Sequence, residues 1–154
     1  MLRLEENYRS TQSILDLAGA LGLLQEFAEP ASVVVKHTNP CGAAVGSDVG
    51  AAFERARASD PVSIYGGIVG VNRPVDRRLA DALSGILLEI LFAPAFEADA
   101  LEELRRAKKK LRVLEVPVGR PLAGASPLEI RSVPGGVLVQ EADLAGLDPV
   151  TLRV

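Results

Sequence analysis

The chain has 154 residues, of which 48% are hydrophobic, so it is long enough for one domain with a substantial core. Its formal net charge of −3 argues against a protein that coats nucleic acid. One cysteine and one histidine can form neither an internal disulfide nor a zinc tetrad, so we expect no metal and a reducing compartment. Glu89 interrupts the longest apolar stretch, residues 86–96, so we expect a cytoplasmic protein with no signal peptide and no membrane span.

Helical and extended patterns alternate along the first 116 residues. Apolar residues recur at helical spacing over residues 10–27, and Pro30 separates this helix from a strand at 32–36. Further helices are predicted after the capping residue Asp48, over residues 74–86 and from Pro94. Further strands are predicted over residues 63–71, 88–93 and 111–116. A Pro-Gly-Gly turn joins two more strands, 131–133 and 136–140. This alternation predicts an α/β domain, in which helices cover both faces of a sheet of at least three strands.

Reactive residues follow the strand at 32–36, in the segment Lys36-His37-Thr38-Asn39-Pro40-Cys41-Gly42. Neighbours in a strand point to opposite faces, so Lys36 and His37 can meet one substrate only if the backbone turns there, as the proline and glycine indicate. An imidazole passes protons near neutral pH and an ammonium places a positive charge, so the pair suits proton transfer around a nucleophilic amine. The structural alternative is a histidine that caps the strand end and a lysine that reaches solvent. Ligands of such sheets gather where strands end and helices begin, and we expect this segment to lie there.

Three more features of the sequence each allow two interpretations. The pair Gly66-Gly67, inside a predicted strand, indicates either close packing against a helix or a ligand that lies against exposed backbone. Glu89, inside an apolar strand, is either a buried carboxylate with a partner or polar ligand, or an edge-strand residue that faces water. Cys41 is either a small buried residue or a nucleophile activated by His37.

Four segments carry a resemblance to a known family: VVVKHTNPCGAA, RARASDPVSIYGGIVGVNRPVD, EILFAPAFEADALEELRRAKKKLRVLEV and RSVPGGVLVQEAD. In this order they resemble the first half of the transformylase region of the bifunctional purine-synthesis enzyme AICAR formyltransferase/IMP cyclohydrolase. The resemblance implies a three-layer α-β-α sandwich, the cytidine-deaminase-like subdomain of the AICAR transformylase family. It also implies a divergent segment at residues 1–12, a single transformylase-like domain at 13–143 and a tail at 144–154.

The resemblance implies a reaction as well as a fold. The family transfers a formyl group from its co-substrate 10-formyltetrahydrofolate to the 5-amino group of AICAR, giving FAICAR in de novo purine biosynthesis, and requires no metal. Lys36 and His37 match the catalytic pair: Lys36 would assist proton donation and stabilise the transition state, and His37 would help to take the amine proton. Asn39 would shape the loop and contact substrate. Gly66 matches a glycine whose backbone lies against the nucleotide, and Glu89 matches an acidic residue that contacts substrate.

The sequence departs from the family in its extent and at its start. We expect no ring closure to IMP, because the cyclohydrolase domain does not precede this region. We expect a site that is complete only in a homodimer or with a complementary transformylase half. The segment LEENYRSTQSILDLA resembles a motif of superfamily-one helicases, but the chain has no Gly-Lys-Ser/Thr Walker loop, so we expect a rearranged gene start and no helicase activity. The alternative function is a non-catalytic remnant or a self-associating binding module with the same fold.

Overall fold

A computed structural model describes residues 4–107, 110–119 and 128–141 of the chain. The chain divides into two compact units, Met1–Gly119 and Arg120–Val154. The single domain predicted at 13–143 therefore covers parts of both units, and the predicted tail at 144–154 lies outside the described residues.

The described part of the first unit contains four helices and five strands, and that of the second contains two strands. They are α1 (Leu4–Leu24), β1 (Ala31–Lys36), β2 (Asn39–Val45), α2 (Val49–Ser59), β3 (Gly67–Val71), α3 (Arg77–Leu83), β4 (Leu88–Ala93), α4 (Ala98–Ala107), β5 (Arg112–Glu115), β6 (Leu128–Val133) and β7 (Gly136–Glu141). The strands β6 and β7 form an antiparallel pair of their own, joined by the predicted turn, in which Gly135 has a φ of 87°. The predicted alternation of helices and strands is confirmed, and β2 is the strand that the prediction lacked.

A five-stranded mixed sheet forms the centre of the first unit, with strand order β2-β1-β3-β4-β5. The strand β1 runs antiparallel to both β2 and β3, whereas β3, β4 and β5 are parallel to one another. The helix α1 packs on one face of the sheet, and α2, α3 and α4 pack on the other. The predicted α/β fold with three layers, α-β-α, is confirmed.

The side chains of β1 alternate between the two faces of the sheet, and both faces are covered. Val33 and Val35 belong to the apolar cluster under α1, whereas Val34 belongs to the cluster under the other three helices, together with Phe53 and Leu104. None of these five side chains is more than 2% exposed. Burial on both faces explains why the strand contains three consecutive valines, since a strand with one face in water would alternate apolar and polar residues.

Aspartate side chains fix the starts of two helices. The backbone N–H of Ala51 donates to the carboxylate of Asp48 at 2.7 Å, which confirms the predicted cap of α2. In the same way Leu79 donates to Asp76 at 2.8 Å. The helix α3 therefore begins after Asp76, and the prediction that it starts at Pro74 was wrong.

The helix α4 also begins later than predicted. Val75 and Phe96 form an isolated parallel bridge, in which Glu97 donates its backbone N–H to the carbonyl oxygen of Val75 at 2.9 Å. This bridge holds the chain extended after Pro94, so the helix starts at Ala98 instead.

Only the last five residues of the predicted strand 63–71 form β3. The carboxylate of Asp60 accepts the backbone N–H groups of Val62 and Ser63, at 3.2 and 2.9 Å, and so bends the chain into a turn. Gly66, with a φ of 75°, completes the change of direction before the strand starts. The apolar composition predicted a strand here, but at the start of this segment backbone N–H groups donate to the side chain of Asp60 instead of to a neighbouring strand.

Pro40 and Gly42, which the sequence predicted to mark a turn, lie inside β2. Pro40 is tolerated there because β2 is an edge strand, where a missing backbone donor need not break the sheet. Gly42 is fully enclosed, since a Cβ built on it would lie 2.1 Å from the carbonyl oxygen of Ala56 in α2. The close approach of β2 to α2 therefore depends on the absence of a side chain at residue 42.

We expect Gly42→Ala to lower the free energy of unfolding by about 1–3 kcal/mol, the usual cost of overpacking a close contact. The clash is with helix backbone, which cannot rotate away as a side chain would. Urea unfolding followed by circular dichroism measures the change. Gly85→Ala is the matched control, because no atom lies within 4 Å of its Cβ position. Equal losses in the two variants would contradict the proposed contact.

Candidate functional site

A two-residue turn, His37-Thr38, joins β1 to β2 between the paired residues Lys36 and Asn39. Both turn residues have positive φ angles, 53° for His37 and 64° for Thr38. Positive φ at both central positions is the mark of a type I′ turn, which favours Asn and Gly and strains a β-branched residue. The backbone thus reverses directly after Lys36, where the sequence predicted a turn.

Besides the pairing of the strands, three hydrogen bonds that involve side chains hold this turn within the described ranges, and one of them comes from another layer. The side chains of Thr38 and Asn39 both donate to the carbonyl oxygen of His37, at 2.6 and 3.0 Å. The backbone N–H of Thr38 donates to the carboxylate of Asp16 in α1, which is only 7% exposed. The loop-shaping contact expected of Asn39 is therefore present, and His37 itself is exposed to solvent.

Asp16 is a residue that sequence reasoning missed. Its position in α1 is four and eight residues before Ala20 and Leu24, both of which are fully buried. Residues at this spacing share one face of a helix. A carboxylate on a buried helical face needs a polar partner, and that mismatch was a signal available in the sequence.

The ammonium of Lys36 is bound to the turn that leads into β3. Its Nζ donates to the carbonyl oxygen of Tyr65 at 2.7 Å. The next residue, Gly66, donates its backbone N–H to the carbonyl oxygen of Leu87 at 2.8 Å. These two bonds connect the end of β1 to the beginnings of β3 and β4.

The two adjacent glycines have different surroundings. No atom lies within 4 Å of a Cβ built on Gly66, so its backbone is open on that side. A Cβ on Gly67 would lie 3.0 Å from the carbonyl oxygen of Val35 and 3.1 Å from that of Ile64. Close packing therefore accounts for Gly67, against strand and turn backbone rather than against a helix, and does not account for Gly66.

Glu89 is exposed although its strand is not at the edge of the sheet. Gly67 pairs with Leu88 and Ile68 pairs with Ile90, so Glu89 is the extra residue of a bulge in β4. Bulges turn a side chain away from its regular direction. The side chain faces water, as one of the two interpretations expected, but the expected burial and the expected edge position were both wrong, and the bulge explains the exposure.

The candidate residues lie together at one end of the sheet, but not at the end that the sequence predicted. Lys36, His37 and Asn39 lie at the carboxyl end of β1, whereas Gly66 and Glu89 lie at the amino ends of β3 and β4. We expected the site where parallel strands end and helices begin. It lies at the opposite end of the parallel strands because β1 is antiparallel to them.

A cleft of about 340 Å³ opens beside Tyr65 at the same end of the sheet. Its remaining lining residues are Ser84, Gly85, Ile86, Leu87, Leu88, Ala107, Lys110 and Leu111. The cleft therefore combines apolar side chains with two hydroxyl-bearing residues, Tyr65 and Ser84, and the ammonium group of Lys110, next to the carbonyl group that binds Lys36.

The thiol of Cys41 is poorly suited to act as a nucleophile. Burial, followed by the nearby carboxylate of Asp60, raises the pKa of the Cys41 thiol above its usual value, and the more weakly acting Lys36 does not reverse this. The thiol also contacts the carbonyl oxygen of Val34 at 3.6 Å. Because the thiolate is the reactive form, this favours the interpretation of Cys41 as a small packed residue.

Within the described ranges, no group of three or more His, Cys, Asp or Glu side chains is arranged to hold a metal ion. Over the same part of the chain, no helix combines the length and the apolar character needed to cross a membrane.

We expect Cys41 to be alkylated by iodoacetamide at pH 7.5 more slowly in the folded chain than in the chain unfolded by urea. The raised pKa leaves less thiolate in the folded state, and burial limits access. Mass spectrometry of timed samples measures both rates. Faster alkylation of the folded chain would restore the thiol-nucleophile interpretation.

The sequence matches the family described as the AICARFT/IMPCHase bienzyme over residues 5–154. The bifunctional purine biosynthesis protein PurH of Bacillus thuringiensis (strain Al Hakam) is 46% identical over 145 residues, and PurH of Bacillus cytotoxicus is 47% identical over the same number. Each alignment covers 94% of this chain and 28% of the relative. The chain thus spans little more than a quarter of the length of these curated relatives.

Solved structures of Acinetobacter baumannii RibD also align with the chain. Form 2 gives a TM-score of 0.45 at 15% identity over 66% of this chain and 34% of that chain. Form 1 gives 0.46 at 14% identity over 70% and 35%. The family match covers nearly the whole sequence, and the two PurH proteins are 46% and 47% identical to it. The chain therefore belongs to the AICARFT/IMPCHase bienzyme family.

Proposed function

We propose that this chain supplies the lysine and histidine of an AICAR transformylase site, as part of a larger cytoplasmic assembly. The assembly transfers the formyl group of 10-formyltetrahydrofolate to the 5-amino group of AICAR in de novo purine biosynthesis. The observation that carries the proposal is the adjacent pair Lys36 and His37, at the turn between β1 and β2. The chain belongs to the family and resembles proteins named for bifunctional purine biosynthesis.

The reaction requires two proton transfers, one from the amine of AICAR and one to N10 of the folate. A C–N bond forms between the amine of AICAR and the formyl carbon, and the C–N bond between that carbon and N10 of the folate breaks. The amine loses a proton and N10 gains one, so no electrons are exchanged with another reactant. An imidazole beside the amine removes its proton, and an ammonium beside the formyl oxygen or N10 stabilises charge or donates a proton.

The structural surroundings of Lys36 and His37 suit these roles. Lys36 uses one of its three N–H donors on the carbonyl oxygen of Tyr65, which orients the ammonium and leaves donors for a ligand. His37 stands on a tight turn and is exposed. Two groups on adjacent residues can reach one substrate here because the backbone reverses between the strands.

The residues around the pair support a substrate-binding role. Gly66 presents backbone with no side chain over it, which suits the close approach of a nucleotide. The exposed carboxylate of Glu89 is available to hydroxyl or amine groups of AICAR. Asn39 keeps an amide oxygen beside the turn while its nitrogen holds the His37 carbonyl. We assign substrate binding to these three residues.

The exposure of the site supports the need for a second polypeptide. His37, Thr38, Asn39 and Glu89 are all exposed in the isolated chain. Excluding water from a site strengthens its electrostatic interactions and prevents competing hydrolysis. We propose that a second copy in a homodimer, or a complementary transformylase half, covers this end of the sheet.

A specific observation favours the alternative, a non-catalytic module that self-associates. The hairpin β6–β7 exposes large apolar side chains, with exposed fractions of 51% for Leu128, 66% for Ile130, 61% for Val137, 60% for Leu138 and 53% for Val139. All of these except Leu138 lie on one face of the hairpin, because Ile130 pairs with Val139 and side chains alternate along a strand. Such a contiguous apolar face favours contact with another protein surface.

The proposed activity is tested best in a chimera, in which this chain replaces the aligned segment of the Bacillus cytotoxicus relative. We expect the chimera to formylate AICAR, and Lys36→Ala or His37→Ala to lower kcat by about 10²–10⁴-fold, the usual contribution of a proton-transfer group. Folate release followed by absorbance measures the rate.

Arg78→Ala is the control for loss of a cation. Arg78 lies on α3, at the opposite end of the parallel strands, and its ion pair with Asp48 is exposed. An active chimera that tolerates Lys36→Ala and His37→Ala as well as it tolerates Arg78→Ala would refute the proposed function.

Self-association through the hairpin predicts that the chain sediments as a dimer or larger species at micromolar concentration, and that Ile130→Lys shifts it to monomer. A charge in an apolar contact is costly to bury. Val62→Lys is the matched control, because Val62 is 80% exposed and lies in the first unit. A monomeric wild-type chain in analytical ultracentrifugation rules out this alternative.

A further inference from the structure

We propose that Asp16 is a positioning residue for His37: its carboxylate holds the backbone of Thr38 in the left-handed conformation on which the direction of the His37 side chain depends. The catalytic meaning of this proposal rests on the proposed function. The structural claim, that Asp16 holds the turn, can be measured without turnover. Failure of the positioning claim can therefore be distinguished from failure of the proposed function.

The sequence of the turn does not favour the conformation that it adopts. His37 and Thr38 both have positive φ, although neither is glycine. The left-handed region costs an L-residue free energy, and the cost is largest for a β-branched side chain such as threonine. Two-residue hairpin turns of this kind normally contain Asn-Gly. Contacts outside the turn must therefore offset the strain.

Asp16 supplies the contact that comes from outside the hairpin. The bonds from Thr38 Oγ1 and Asn39 Nδ2 both end on the carbonyl oxygen of His37, so they link the hairpin only to itself. The bond from the Thr38 N–H to Asp16 spans 22 positions of sequence and reaches α1. A carboxylate acceptor makes a stronger hydrogen bond than a neutral one, and a poorly hydrated site strengthens it further.

The helix that carries Asp16 is a firm support. Ala20 and Leu24, which share its face, are fully buried against the sheet. The Asp16 side chain is short, so its carboxylate can move little relative to this packed face. Fixing the Thr38 N–H also fixes the peptide group between His37 and Thr38, and thereby limits the rotation of the His37 backbone.

The variant Thr38→Gly distinguishes two roles for the Asp16 carboxylate: stabilising α1 alone, or positioning the turn. Glycine adopts positive φ without strain, so the turn should no longer need an external acceptor. If Asp16 serves to hold the left-handed turn, Asp16→Ala should loosen the turn when residue 38 is threonine and have little effect on it when residue 38 is glycine. If it serves only the stability of α1, the two backgrounds should respond equally.

The first test is NMR spectroscopy of the full chain, in which His37 is the only histidine and gives a single set of ring signals. In Asp16→Ala we expect the Thr38 amide to exchange at least about ten-fold faster, because a bond to a charged acceptor is lost. We also expect increased fast motion of the His37 backbone amide. Both changes should be small in Asp16→Asn, which keeps a side-chain oxygen acceptor. In Asp16→Ala combined with Thr38→Gly the amide of residue 38 still lacks its acceptor, but the increase in motion of the His37 amide should be small.

Asp48→Ala is the matched control, because Asp48 also accepts a backbone N–H, at the start of α2. Unchanged exchange and motion in Asp16→Ala would overturn the proposal, and so would equal changes in Asp48→Ala. Should Asp16→Ala fail to fold, recovery of a folded chain by Thr38→Gly would support the proposal, and failure of the double variant to fold would overturn it.

The second test is catalytic and uses the chimera described above. We expect Asp16→Ala to lower kcat about ten-fold or more with little change in KM, since a misplaced base affects the transition state more than ground-state binding. Thr38→Gly should restore most of the loss. An active chimera in which Asp16→Ala leaves kcat unchanged would overturn the proposal. If the unmutated chimera is inactive, the proposed function fails and the NMR comparison decides the positioning claim.

Discussion

The strand β1 runs antiparallel to β3, and this direction brings the carboxyl end of one strand beside the amino ends of two others. In a sheet whose strands were all parallel, Lys36 would stand at the far end from Gly66 and Glu89. The reversal instead allows the ammonium of Lys36 to reach the carbonyl oxygen of Tyr65. The same pairing is buried on both faces, so the relative position of these groups is fixed by the core rather than by flexible loops.

The two proposed catalytic side chains are supported from different layers of the structure. Lys36 is bound to the turn before β3, whereas the His37 turn is tied to α1 through Asp16. Strain at His37 and Thr38 is maintained because surrounding contacts over-determine the conformation, as is common where a protein must present a side chain in one direction. The close contact of Gly42 with α2 completes this arrangement by setting the position of β2.

Local signals in the sequence were sufficient where a residue acts on its own neighbours. Asp48 capped its helix as predicted, and β4 formed over the predicted residues, because capping and the apolar run are short-range effects. Pro40 and Gly42 were misread because their tolerance depends on an edge position and on a helix that packs across the strand, which only the tertiary structure supplies. The strand direction, the bulge at Glu89 and the partner of Asp16 depend on distant pairings in the same way. The residues of the candidate site could thus be named from the sequence, but their common location could not be derived from it.

The edge position of β2 has a consequence for how copies of the chain can meet. An uncovered edge strand is a template on which another molecule can add a strand. Pro40 removes a backbone donor from β2, and the register shift opposite Val34 and Val35 interrupts the regular ladder beside it. Both are devices by which natural sheets resist intermolecular extension. The homodimer proposed above is therefore expected to form through side-chain contacts on another surface, and not by continuing the sheet from one molecule into the next.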